Sequence, residues 1–423
     1  MSKAEFRQHG DDSALEGVTR VRLLCPVCQE ESEADGFVYR CEKCDEALEL
    51  HYDLENLQGK ISTRTFESRP WNMWRYSELL PVNGRARISL EEGGTALHRS
   101  RRLEERLGLQ HLYLKDETRN PTGSFKDRGS SVGVSKAVEL KAGAVGCVST
   151  GNMAASMAAY AAKAGLKNLV LIPTGTPPEK MVQTMICGSV LIAVTGEYPE
   201  TYRMGLEASV RHRIYMVHSD APFRVEGQKT VAYEICEQLG WNAPDFVLVP
   251  TSSGGNISSL WKGFKEMHEL RLVAHLPSMV CVQAEGCSPI VAAFKSGKDT
   301  VQPFVKLDTL AQSISNPDPP SGKRVLRLLR DSKGFALSVS DQEILEAQRL
   351  VAETEGLFVE PASASTIAPL VKLLESGMIA RSDNIVCVLT GSGLKDVKSA
   401  THLLTKPLEI SSARELENIL SRT

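Results

Sequence analysis

From Leu112 onward, short apolar runs alternate with helical patterns. The runs are VGCVS, NLVLI, VLIAV, IYMV, FVLVP, MVCVQAE and IVCVLT, and each leads through a loop into a helix-like stretch, as VGCVS leads into MAASMAAYAAKAG. Strands apolar on both faces need cover on both faces, which predicts parallel sheet lying between layers of helix. A chain of 423 residues carries two or three domains of this kind rather than one. In parallel sheets ligands gather beyond the carboxyl ends of the strands. That rule selects four loops, Ser149–Asn152, Ser219–Arg224, Ser252–Asn256 and Thr390–Ser392.

One lysine precedes all four loops. The stretch Leu114–Gly129 reads LKDETRNPTGSFKDRG, a polar turn that ends with Lys126 between Phe125 and Asp127 at the mouth of a helix. A lysine constrained on its N-terminal side presents its amine in a fixed direction, as Schiff-base chemistry requires. SFKDR alone is an ordinary amphipathic helix start, and the loops downstream give it meaning. TSSGGN, from Thr251, follows a strand and opens a helix. Small residues there let the N–H groups of Ser252, Ser253, Gly254, Gly255 and Asn256 close around an anion at a helix N-terminus. The loop is neither GxGxxG nor GxxxxGK[ST], which disfavours a dinucleotide or a nucleoside triphosphate. STGN offers the Ser149 and Thr150 hydroxyls and the Gly151 N–H to a carboxylate, with Asn152 for a ring substituent. LTGSG sets Thr390 and Ser392 at the end of the last strong strand. A hydroxyl beside a pyridine nitrogen leaves that nitrogen largely unprotonated, whereas an aspartate would protonate it. Together, one lysine, one phosphate cradle, one carboxylate loop and one ring hydroxyl specify pyridoxal phosphate.

The N-terminal region has its own signal. CPVC and CEKC place Cys25, Cys28, Cys41 and Cys44 as two knuckles twelve residues apart. Four thiolates at this spacing suit one tetrahedral zinc at about 2.3 Å, and with no open ligand position the metal is structural. The other six cysteines are scattered among apolar neighbours and behave as small buried hydrophobes. A net charge of −3, and acidic flanks around the knuckles, exclude a nucleic-acid footprint. The uncharged run Ala142–Ala162 contains serines, a threonine, an asparagine and glycines, and reads as buried strand, loop and helix rather than a membrane span. The polar start, MSKAEFRQHGDDSALEG, lacks the apolar core of a signal peptide, so the expected compartment is the cytoplasm. Trp71, Trp74 and Tyr76 read as core aromatics, and Asn316–Gly322 (NPDPPSG) as a surface loop.

In order, NPTGSFKDRG, STGNMAAS, SSGGN, EPASAST and LTGSGLKD resemble the tryptophan-synthase-β-like, fold type II pyridoxal-phosphate enzymes. Within that group the cysteine knuckles, WRYSELLP, EGGT and FRVEGQKT are similar to threonine synthases, across about Cys25 to Lys395. The resemblance implies pyridoxal 5'-phosphate covalently held on Lys126, which would also move protons at Cα and Cβ. Phe125, Asn152, Ser252, Ser253, Gly254, Gly255, Asn256, Thr390 and Ser392 would surround the cofactor. Ser149, Thr150 and Gly151 would receive the substrate carboxylate, Met153 would also meet the substrate, and Ser219 and Arg224 would sit near a substrate phosphate. It implies a homodimer acting on a phosphorylated amino acid, O-phosphohomoserine plus water giving threonine plus phosphate. Related reactions on the same scaffold are β-replacement on O-phosphoserine, as with sulfite, and serine or threonine dehydration.

Departures from the threonine synthase pattern lie on the substrate side. Met153 stands where threonine is usual, HSDAPFR replaces NSxNPxR, so that His218 and Ala221 stand for asparagines, and Ser253 stands where asparagine is common. The predicted layout is a zinc-ribbon extension over residues 1–60, a large cofactor-binding domain from 61–120 and 220–423, and a small mobile domain over 121–219.

Overall fold

The computed structural model describes residues 21–32, 37–195, 198–219, 221–305, 307–401 and 407–421, without the side chains of residues 198–200, 202, 206 and 210. The polar N-terminal stretch lies outside the described residues. Thirteen strands follow in chain order: β1 (Val21–Leu24), β2 (Glu31–Ser32), β3 (Glu49–Tyr52), β4 (Leu97–Arg99), β5 (His111–Asp116), β6 (Ala144–Val148) and β7 (Lys167–Pro173), then β8 (Val190–Val194), β9 (Ile214–Met216), β10 (Phe246–Pro250), β11 (Ser278–Ala284), β12 (Phe335–Val339) and β13 (Asn384–Leu389). They form three sheets.

The largest sheet runs β12-β11-β10-β13-β5-β4, parallel except for the short β4. Its strands show why both faces had to be apolar. Val247 and Val249 of β10, Met279 and Cys281 of β11 and Val386 and Val388 of β13 join one core with Ile257, Leu260 and Phe264. The alternate residues Leu248, Val280, Val282, Ile385 and Cys387 join the opposite core with Ile344 and Ile367. Burial of each such side chain stabilises by about 1.5–3 kcal/mol, so the period-two pattern fixes register as well as strand identity. β12 was not among the apolar runs. It is an edge strand, FALSV, with only Ala336 and Val339 buried, so its pattern is broken by half-exposed positions.

The second sheet is β8-β7-β6-β9, all parallel, with a core that includes Val145, Cys147, Met157, Tyr160 and Val170. The uncharged run is β6, the STGN turn and the helix Asn152–Ala164. No described helix is long and apolar enough to cross a membrane. The third sheet, β2-β1-β3, is antiparallel and carries the cysteine knuckles.

Two expectations need correction. Trp74 and Tyr76 are core residues, but Trp71 is exposed and packs under the Arg75 guanidinium, 4.6 Å from the ring centre. The NPDPPSG segment is not a free surface loop. Pro319, Ser321 and Gly322 are buried, because the segment supplies hydrogen-bond donors to the SSGGN turn.

Candidate active site

The Lys126 loop is shaped by its own side chains. The Asp127 carboxylate accepts from the Thr122 N–H at 2.7 Å and the Thr122 hydroxyl at 2.6 Å, which folds PTGSF back onto the first turn of the helix Lys126–Glu139. The same loop is laced to the Thr390 loop. Phe125 N–H donates to the Thr390 carbonyl at 3.0 Å, and Ser392 N–H to the Gly123 carbonyl at 2.9 Å. Two segments far apart in sequence therefore make one rigid floor.

Above it, the Lys126 amine lies 4.5 Å from the centre of the Phe125 ring. It makes no hydrogen bond or ion pair among the described residues, and its side chain keeps some accessible surface. Protein packed around the amine pulls its pKa down to about 7; burial is the main cause, the Arg224 cation adds to it, and the Glu360 carboxylate opposes it. A lysine held this way is about half neutral near pH 7, and the neutral form is the nucleophilic state.

The SSGGN turn follows β10 and begins the helix Gly255–Glu269. Asn256 is buried, and among the described residues neither its amide nitrogen nor its amide oxygen has a partner; the Ser258 and Ser124 hydroxyls are likewise unpartnered there. Orphaned buried polar groups cost about 1–3 kcal/mol each unless a ligand satisfies them. A Cβ on Gly255 would come within 2.6 Å of the Ser219 carbonyl, so glycine is required for the two loops to approach this closely. Ser253 is held on both sides, its hydroxyl by Asn316 Nδ2 at 2.7 Å and its carbonyl by Ser321 N–H at 3.1 Å. This donor set, together with an amine free to form a Schiff base, fits a phosphorylated aldehyde cofactor.

Glu360, the first residue of EPASAST, joins the two halves. Its carboxylate accepts from Asn152 Nδ2 at 2.9 Å, Ser313 Oγ at 3.0 Å and Thr390 Oγ1 at 3.3 Å. Burial pushes its carboxyl upward, against the stabilising hydrogen bonds of Asn152 and Ser313. Gly391 permits this arrangement, since a Cβ there would meet the Glu360 carboxylate at 2.6 Å. Thr390 Oγ1 also lies 3.1 Å from Ser363 Oγ.

Ser149 and Thr150 are half-buried and Gly151 is exposed at the start of the helix Asn152–Ala164, and Ser149 Oγ accepts from Gly151 N–H at 3.3 Å. Met153 sits in the core of the second sheet. Arg224 is buried in the helix Pro222–Gln228, against Gly129 of the Lys126 helix. With the Gln228 amide oxygen turned toward it, the guanidinium donates at 2.9 and 3.1 Å. Asp220, in the same segment as Ser219, lies outside the described residues. A wide hollow of about 830 Å³ lined by Leu54, Trp241, His268 and Arg271 contains none of these loops.

The structure thus joins Lys126, Phe125, Thr390 and Ser392 directly, Asn152 to Thr390 through Glu360, and Ser219 to the SSGGN turn. Sequence reading missed Glu360 and Asn316. EPASAST was visible as a motif, but only the fold aims its glutamate into the cleft; Asn316 sat in a segment that looked like solvent loop. The four thiols of Cys25, Cys28, Cys41 and Cys44 lie within 4.8 Å of one another, with neighbours at 3.4, 3.5 and 3.7 Å. A tetrahedral zinc with four bonds of about 2.3 Å would space them by about 3.8 Å.

Fold and site together define a pyridoxal-phosphate-dependent enzyme of fold type II. The architecture is that of maize serine racemase (TM-score 0.62, 20% identity, 78% of this chain and 92% of that one) and of a threonine deaminase from Solanum lycopersicum (TM-score 0.62, 22% identity, 73% and 84%). The pyridoxal-phosphate dependent enzyme family model matches residues 88–391. Threonine synthase of Methanocaldococcus jannaschii is 45% identical over 388 residues, 91% of this chain and 96% of its own. That of Methanosarcina acetivorans is 39% identical over 391 residues, 92% and 96%, and that of Mycobacterium bovis 40% over 341, 80% and 92%. The chain belongs to the threonine synthase family of pyridoxal-phosphate-dependent enzymes.

Proposed function

We propose that the protein converts O-phosphohomoserine and water to threonine and phosphate, with pyridoxal 5'-phosphate held on Lys126. The observation that carries this reading is the near full-length match to relatives named threonine synthase. The Lys126 amine and the Asn256 amide, both without a hydrogen-bond partner among the described residues, support the cofactor's place.

When bound, the cofactor supplies a ring that draws electrons from the substrate's Cα. The residues do the rest. Ser252 to Asn256 and the helix N-terminus behind them would hold the cofactor phosphate, Thr390 would offer a neutral hydroxyl to the ring nitrogen, and Asn152 would offer its amide to the ring oxygen. Ser149, Thr150 and Gly151 grip the substrate carboxylate, while Ser219 and Arg224 meet the departing phosphate, the guanidinium with two hydrogen bonds. Lys126 would carry protons at the substrate's Cα and Cβ. The second sheet, within residues 121–219, moves toward the first on substrate binding and excludes bulk water. The four cysteines hold one structural zinc. Family likeness supports a homodimer, and cysteine usage supports the cytoplasm.

The test is phosphate release from O-phosphohomoserine and, separately, from O-phosphoserine with and without sulfite. Threonine formed from the first is expected. Release from O-phosphoserine alone would sink this reading and favour β-replacement. Fresh protein should contain close to one zinc per chain.

A further inference from the structure

We infer that the four-cysteine ribbon is a positioning element for the substrate-phosphate side of the cleft, acting through Tyr39 and Phe223 on the segment that carries Arg224. The inference rests on the reading of Arg224 as a phosphate ligand.

Tyr39 stands two residues before Cys41 and is tied to the second knuckle by Leu48 N–H donating to its carbonyl at 3.1 Å. Its side chain leaves the ribbon. The hydroxyl accepts from Met216 N–H, at the end of β9, at 3.0 Å, and the ring lies 4.7 Å from that of His218. Tyr39 is buried together with Val148, Met216 and Ala221. Phe223, the residue before Arg224, is 2% exposed and completes the ribbon's own core with Leu23, Cys25, Cys41, Leu48 and Leu50. The ribbon thus holds the segment at Met216, His218, Ala221 and Phe223, and the residues it leaves to the cleft include Ser219 and Arg224.

The helix Pro222–Gln228 opens this stretch and continues through Lys229, in helical backbone, into the helix Thr230–Gln238. Its first turn, which carries Phe223 and Arg224, is the end that lacks helix on its N-terminal side, so packing sets where that turn sits. On one side Arg224 presses on Gly129 of the Lys126 helix; on the other Phe223 presses into the ribbon. A second set of contacts reaches the cofactor-phosphate side. Ala47 and Pro26 carbonyls accept from Arg324 at 2.7 Å and Arg327 at 3.0 Å, and Glu49 pairs with Arg324 at 3.0 Å. These arginines belong to the helix Gly322–Asp331, whose leading Ser321 holds Ser253. Bidentate phosphate recognition needs the guanidinium placed within about 0.5 Å, which is what a cross-linked wedge provides and a bare loop does not. The ribbon's four ligands leave no open position, so its contribution is rigidity.

The experiment uses holoenzyme of the parent, Tyr39→Ala, Tyr39→Phe and, as a ribbon control away from the segment, Lys43→Ala. Steady-state kinetics with O-phosphohomoserine, titration of the cofactor absorbance with inorganic phosphate, and metal and cofactor content are measured on each. Tyr39→Ala should raise KM and weaken phosphate binding roughly tenfold, the loss of about one well-placed hydrogen bond to a charged group. Its kcat, zinc content and cofactor band should stay at parental values. Tyr39→Phe, which keeps the ring on His218, should recover most of the loss, and Lys43→Ala should show none. Unchanged KM and phosphate affinity in Tyr39→Ala would overturn the inference, as would a joint fall of kcat, cofactor content and KM-based efficiency in both tyrosine variants. A parent that binds no inorganic phosphate overturns it too. A parent inactive on O-phosphohomoserine rejects the proposed reaction instead, and the phosphate titration then decides the inference by itself.

Discussion

Lys115 and Lys126 lie eleven residues apart, on either side of one turn, and the protein treats their amines in opposite ways. Lys115 is fully buried, and its amine donates to Glu234 at 2.7 Å, Gln238 Oε1 at 2.8 Å and the Thr95 carbonyl at 2.9 Å. Glu234 is shared with Arg128, which also holds Glu117 at 2.6 Å. Lys229 is treated like Lys115, between Glu226 and Glu266 and 3.9 Å above the Tyr52 ring. Lys126 has no such acceptor among the described residues, and the charge that most perturbs it is another cation, Arg224. Burial lowers the pKa of all three, but facing carboxylates oppose it strongly at Lys115 and Lys229. A buried lysine with every N–H satisfied is architecture; one kept without a partner is a reagent.

The largest expected effect breaks that comparison at the reagent. Lys126→Ala should lower turnover by at least about 10³-fold, the scale of a lost acid–base and covalent group. The visible cofactor band should vanish with it. Because no ion pair is lost, the melting temperature of the cofactor-free protein should hold or rise. A melting temperature that drops with activity would show that Lys126 is structural, as Lys115 is.

The converse substitution is Glu234→Ala, which strands Lys115 and half of Arg128 in the interior. Breaking a buried pair in this way costs about 3–5 kcal/mol. Urea denaturation should show the loss, while the cofactor band per folded molecule stays at its parental value. Equal damage to band and stability would mean that the charge cluster reaches into the site.

The two lysines also differ in how legible they were. The apolar strand runs predicted the sheets because Val247, Leu248 and their neighbours answer to burial alone, a property each residue carries with it. Lys126 was legible because the turn before it is local: Thr122 and Asp127, five residues apart, fold it. Glu360 and Asn316 were not assigned roles. Their meaning depends on partners 208 and 63 residues away, and no local pattern distinguishes them from a surface glutamate or a loop asparagine. The same holds for Lys115, whose partners Glu234 and Gln238 lie 119 and 123 residues off. Met153, expected to meet the substrate, packs with the core of the second sheet, and its burial was legible from the apolar helix around it.

A smaller effect sharpens the comparison through pH. Cofactor uptake by the cofactor-free protein requires the neutral amine of Lys126. With a pKa of about 7, the neutral fraction is high above that pH and falls about tenfold for each unit below it. The uptake rate should therefore climb through pH 6 and level off by about pH 8. Arg224→Gln removes a cation that holds the pKa down, so the rising limb should move to higher pH. Glu360→Gln removes the opposing carboxylate and should move it lower. A parental limb near pH 10 would show an ordinary solvated lysine.

The smallest expected effect asks whether the contrast between paired and unpaired groups extends to the phosphate cradle. Ser253 resembles Lys115, since Asn316 already satisfies its hydroxyl at 2.7 Å and Ser321 its carbonyl. Asn256 resembles Lys126, since both polar atoms of its amide are buried without a partner among the described residues. Asn316→Ala removes one neutral hydrogen bond behind the cradle, worth about 0.5–1.5 kcal/mol, or a two- to tenfold weaker hold on the cofactor at about 1.4 kcal/mol per decade. Asn256→Ala removes a group with no protein partner among the described residues, and should weaken cofactor binding by more than Asn316→Ala does. Equilibrium titration of cofactor-free protein with pyridoxal phosphate measures both. If Asn316→Ala proves the more damaging of the two, the cradle is held by its backing loop rather than by its unpartnered amide, and the distinction drawn between the lysines does not carry over to the amides.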